Sequence, residues 1–237
     1  MLGLEIMTAA MLMNTQGYSQ SMTVAFPYSC NVRKAPHITV KPSQSRVTYD
    51  FSKSKAQLNR MNTDTVSPYG PHHKTNVSGL MSGTIQLKSN VSFVTEKYDQ
   101  FGIGCTYLKA INVTINIDPV VYVASDFEQG GCMHNAILAH EMKHVNEDQY
   151  VVNKYINEIG RALSQKIDEL GSAYGPLKFG NMEQQQQYIQ EQLHDEVRYM
   201  NKQLNEERRT RQQAIDSLEE YESIGNKCKS RNQPRRR

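Results

Sequence analysis

The chain has 237 residues, enough for one large domain or two small ones. Hydrophobic residues make up 38% and mean hydropathy is −0.64, but the polar excess sits in the Gln/Glu/Arg-rich stretch 183–213, so the remainder can still bury a core. A formal charge of +3, partly from Arg235-Arg236-Arg237, is too small to point to nucleic acid, and no run of about 20 apolar residues offers a transmembrane span.

From the N-terminus, Met1 to about Met13 is apolar and rich in small residues, like the core of a signal peptide. Glu5 interrupts it and no Lys or Arg precedes Arg33. We read 1–21 as a signal-like segment, with export to a secreted or periplasmic location. Residues 22–34 form an extended entry. His37-Ile38-Thr39-Val40, ended by Pro42, and the alternating Arg46–Phe51 read as strands. Ser52 or Ser54 caps a short helix over 54–62. Residues 63–81 read as a loop, dense in turn formers and containing His72-His73.

Two alternating runs, 84–87 and 91–94, flank the turn signal Ser89-Asn90. After a Gly-containing turn (Gly102, Gly104), strands run from Tyr107 to Ile117 and from Val120 to Ala124, with Pro119 as a break or an edge. The second of these, 120–124, is a candidate exposed strand for β-augmentation. The cysteines Cys30, Cys105, Cys132 and Cys228 include no Cys-x-x-Cys, and their even count suits two disulfides in an oxidising compartment. Cys105 and Cys132 flank the strands leading into the helical half. That favours Cys105–Cys132, leaving Cys30–Cys228.

A long helix begins near Met133 and reaches Leu170, stopped by Gly171. Its apolar stripe runs through Leu138, Met142, Val145, Val152, Ile159 and Leu163. A connector, 171–176, precedes a second helix, at most 182–223, with the stripe Ile189, Leu193, Val197, Met200 and Leu204. Two long helices joined by a short connector pack antiparallel. Glu207 and Arg211 interrupt the second stripe, as expected of a far end that leaves the core. The expected fold is therefore α+β: an antiparallel or mixed sheet with a short helix over 22–132, a helical hairpin over 133–225 forming one domain with it, and a basic disordered tail over 226–237.

The first long helix carries His140-Glu141-Met142-Lys143-His144. Histidines four apart share one helix face and can take two corners of a tetrahedral Zn²⁺ site, with Glu141 placed to accept a proton from water there. This His-Glu-x-x-His pattern is the zinc signature of the zincin metallopeptidases. A third His six residues on is absent, because Tyr150 stands there, so the third ligand comes from elsewhere. If both helices run unbroken about the connector, Glu207 or Glu206 reaches the level of His144. A later start of pairing brings Glu222, and an early break near Gly160 brings His194 or Glu196. Asp148, one turn beyond His144, suits a partner that orients an imidazole.

From about Cys30 to Glu222 the chain resembles a bacterial zincin-like family of zinc-dependent proteases, classed as a domain of unknown function. The resemblance is carried by Tyr49-Asp50-Phe51-Ser52, the Gly70 to Gly79-Leu80 loop, the strand pair before Cys132, and the block from Cys132 through His140-Glu141 and His144 to Asp148. It implies one zinc per chain and a peptide or protein substrate. Tyr221-Glu222 matches the tyrosine-acidic pair at the end of the second helix, which makes Glu222 the implied third ligand; on charge grounds Tyr221 or another hydroxyl could serve as a transition-state donor. The expected activity is peptide hydrolysis; the alternative is a zinc-binding envelope or interaction protein that does not cleave.

Overall fold

The computed structural model describes residues 29–31, 34–43, 46–63, 65–69 and 76–229. The signal-like segment 1–21, most of the entry 22–34, His72-His73 and the Arg235–Arg237 run lie outside them. The architecture is α+β, with two sheets and four helices among the described residues.

The larger sheet is centred on β5 (Ile103–Ile117), whose residues alternate β-branched and polar and bury one face against the helices. β1 (His37–Pro42) pairs with it in parallel, His37 opposite Ala110. β4 (Ile85–Tyr98) pairs antiparallel along its length, joined to β5 by a 3-10 turn at Asp99–Phe101 and by Gly102 at φ +62°. The Ser89-Asn90 turn is not made. β4 runs straight through it, because each of its residues finds a partner on β5, and the irregularity falls instead as a register shift at Ser92/Phe93.

The smaller sheet has the order β2 (Thr48–Asp50), β6 (Val120–Val123), β3 (Gly79–Ser82). Pro119 does break the chain between β5 and β6, which belong to different sheets. The expected loop 63–81 thus ends in a strand, β3. The candidate exposed strand 120–124 is the central strand of this sheet, hydrogen-bonded on both sides; β3 and β2 are its edges. The short helix α1 (Lys55–Leu58) starts with a capping box between Ser54 and Gln57.

α2 (Cys132–Leu170) runs unbroken through Gly160 and stops at Gly171, φ +81°. The connector is a strand, β7 (Ala173–Lys178), which pairs with β5 and then leads into α3 (Phe179–Ile215). α2 and α3 pack antiparallel over the large sheet. Their joint core holds Tyr155, Ile159, Leu163, Ile189, Leu193 and Leu204 with Ile111, Val113 and Ile115 of β5. The second helix does not reach 223 in one piece. It breaks at Asp216 (ψ 50°), and α4 (Leu218–Lys229) restarts after Ser217, whose Oγ accepts the Glu220 N–H. Helix thus extends past 226, into the expected tail.

The disulfides are Cys30–Cys105 and Cys132–Cys228, with Cα–Cα separations of 5.5 and 5.8 Å. The expected Cys105–Cys132 and Cys30–Cys228 pairs are not made. Cys105 lies on β5 in the large sheet, whereas Cys132 opens α2 next to the end of α4. Neighbours in sequence are here on different layers. Two disulfides fit an extracellular or periplasmic protein. Among the described residues no helix is long and apolar enough to cross a membrane.

Candidate metal centre

The first turns of α2 pass under the small sheet, and the close approach is made at Gly79 of β3. A Cβ there would lie 2.6 Å from Glu141 Oε1 and would collide with Ile137. Only a glycine lets β3 lie this near the helix. The Met81 backbone N–H then donates to the Glu141 carboxylate.

His140 and His144 lie one turn apart on the buried side of α2, 5% and 7% exposed. Their rings meet at 85° with centroids 5.0 Å apart. The break between α3 and α4 brings Asp216, 5% exposed, against both. Asp216 Oδ1 is 3.1 Å from His140 Nε2 and 3.3 Å from His144 Nε2, and the two Nε2 atoms are 3.4 Å apart. His140, His144 and Asp216 form a buried group able to hold a metal ion.

Geometry and chemistry both fit a cation. At metal–nitrogen distances of 2.0–2.1 Å, one face of a tetrahedron has edges of about 3.3–3.4 Å, close to the triangle these atoms make. The His144 Nδ1 faces the Gln212 side-chain oxygen, which can only accept, so Nδ1 carries a proton, and in the neutral ring Nε2 is left with a bare lone pair. That lone pair points at a carboxylate oxygen and at a second imidazole nitrogen. Electron-rich atoms turned toward one point call for positive charge among them.

Charge is redistributed accordingly. Burial pushes Asp216 up, but hydrogen bonds from His140, His144 and Thr65 outweigh it and hold its carboxyl well below the usual range. Burial also disfavours a charged His144, yet Asp216 and Glu141 together raise it. Glu141 is pushed up to about 7, mainly by burial, with the two imidazoles pulling the other way. Tyr221 is raised by burial and by the nearby Asp216 and Glu141 carboxylates; its hydroxyl donates to Asp216, and its ring lies 5.7 Å from that of His140. A cleft of about 260 Å³ opens beside the cluster, lined among others by Thr65, Gly79, Leu80, Ile137, Tyr221 and Ile224.

Several candidate ligands are elsewhere. Glu222 points to solvent from α4. Glu207 is held by Lys154 and Arg211, which keep it below its usual range, and Glu206 pairs with Arg209 on the surface. His194 and Glu196 lie on the far half of α3, His194 about 27 Å along the helix from Gln212 at 1.5 Å per residue. Asp148 does not touch His144 directly; it accepts from Gln212 Nε2 at 2.6 Å. The antiparallel reckoning therefore misses by one helical turn. The connector is a full strand, so the level of His144 is reached at Gln212, not at 207 or 208.

Asp216, Gln212, Arg208, Glu220 and Thr65 were not singled out from the sequence. One signal was present: Ser217-Leu218-Glu219-Glu220 has the Ser-x-x-Glu spacing of a helix start, which places a break in front of it. Glu220 from this restart lies 3.5 Å from His140 Nδ1 and binds Lys143 Nζ at 2.6 Å. Comparison of the chain with protein-family models, with curated proteins and with solved structures returns no match.

Proposed function

We propose that this protein is a zinc-dependent peptidase. The observation that carries the reading is the buried triangle of His140, His144 and Asp216 with the Glu141 carboxyl beside it at the edge of a cleft. The His-Glu-x-x-His pattern and the resemblance to zincin-like proteases support the same assignment. His140 Nε2, His144 Nε2 and Asp216 Oδ1 would hold one zinc ion. Bound there, zinc supplies a Lewis acid that acidifies a water and polarises a carbonyl.

The chain's own groups supply the rest. Glu141 accepts the proton of the attacking water on a carboxylate oxygen and returns it to the leaving amine. Its second role in the fold, as acceptor of the Met81 N–H, fixes where that carboxylate points. Tyr221, whose hydroxyl donates to Asp216, would turn that hydrogen bond to developing negative charge. β3, an edge strand lining the cleft, offers a backbone against which an extended peptide can lie. Two histidines and a carboxylate also suit Fe(II). A carboxyl acid–base group adjoining the site favours hydrolysis over oxygen chemistry.

The test is paired. Wild-type protein should carry about one zinc per chain and cleave members of a peptide library, losing activity to a chelator and regaining it with zinc. Glu141→Gln should keep the zinc and lose cleavage. Full cleavage by that variant ends the proposal. Stoichiometric zinc with no cleavage by the wild type selects a non-proteolytic zinc-binding protein.

A further inference from the structure

The side chains behind His144 form a connected set. The His144 ring donates from Nδ1 to Gln212 Oε1. The Gln212 amide nitrogen spends both of its hydrogens, one on the His144 backbone carbonyl at 2.9 Å and one on Asp148 Oδ1 at 2.6 Å. Turning the amide over would set its oxygen against two acceptors, so chemistry fixes its orientation. Asp148, fully buried, is gripped by Arg208 through Nε at 2.7 Å and Nη2 at 3.2 Å. Arg208 Nη2 also donates to the Gly83 carbonyl, just beyond β3, at 3.1 Å. Gln212 is 3% exposed, and Arg208, Gln212 and Asp216 follow one another at four-residue spacing along one seam.

We propose that Gln212 is a positioning residue for the metal centre: its amide, held by Asp148 and Arg208, keeps His144 in the tautomer whose Nε2 is free to bind metal. The inference rests on the metal-site reading above but not on peptide cleavage. An amide in this place has a distinct consequence. A carboxylate touching the imidazole would add negative charge to a group that already contains Asp216 and Glu141. Here the carboxylate stands one step back, neutralised by Arg208, and the contact with the ring is made by an uncharged group. Gln212 thus orients the ring without charging the site.

Two readouts test this on the full chain. In metal-free, ¹⁵N-labelled wild type, at a pH where the His144 ring is neutral, its two-bond proton–nitrogen pattern should show the proton on Nδ1. In Gln212→Leu that preference should be lost, and zinc affinity, measured by competition with a chromophoric chelator, should fall about 10–100-fold. A wild-type His144 protonated on Nε2 overturns the inference. So does a Gln212→Leu variant with unchanged tautomer and unchanged zinc affinity. Should Gln212→Leu fail to fold, the wild-type tautomer decides alone. If tautomer and affinity respond as expected while no peptide is cleaved, the peptidase reading fails and this one stands.

Discussion

The two ends of the α2–α3 pair obey the same spacing and serve opposite ends. Near the connector the facing positions are Ile159, Leu163, Ile189 and Leu193, all 0–1% exposed and apolar. Toward the other end the same seam carries His144, Asp148, Arg208, Gln212 and Asp216, also buried, at 0–8% exposed, but polar. The apolar end gains by removing surface from water. The polar end must pair what it buries; Asp148 is met by Arg208 and Gln212, and His144 Nδ1 by Gln212. A hydrophobic stripe that turns polar without turning outward marks a site, not a frayed helix.

The sharpest way to break this contrast is Asp216→Ala. It should abolish stoichiometric zinc binding while leaving the far-ultraviolet circular dichroism of the helices intact; retained zinc would remove Asp216 from the site. Next in size is Arg208→Ala, which leaves the Asp148 carboxylate buried without its cation. A loss of about 3–5 kcal/mol in urea unfolding is expected, much of it recovered when Asp148→Leu is added. At the apolar end, Leu193→Ala should cost about 2–5 kcal/mol by the same measurement and leave zinc stoichiometry unchanged. If zinc falls in that variant, the two ends are not separable. Glu222→Ala should be the quietest, with zinc affinity and stability both within error of wild type, since its side chain faces solvent.

How much could be read beforehand follows from the range of the interactions involved. His140, Glu141 and His144 lie on one helix, and local spacing suffices to place them. So did the α+β layout, the antiparallel helices and the break at Pro119, because each depends on periodicity or on a residue that cannot continue an element. The missing parts depend on distance through space. Ser89-Asn90 has turn chemistry, but the long ladder to β5 overrides it. β3 is four residues without clear alternation and is a strand because β6 and Glu141 await it. The cysteine pairing depends on which layer each residue joins. Asp216 sits at a helix break inside 182–223 that only the Ser217 cap signals, while the apolar stripe continues across it with Ile215 and Leu218.

The Cys132–Cys228 bridge sets in at the residue that opens α2 and closes near the end of α4. Every helical side chain of the proposed centre, from His140 to Tyr221, is therefore enclosed in one covalent ring. A single cut in the connector strand would open the polypeptide yet release nothing: both pieces would stay joined opposite the wound, with His140, His144 and Asp216 still on one molecule. The fragments would come apart on a denaturing gel only after a thiol was added.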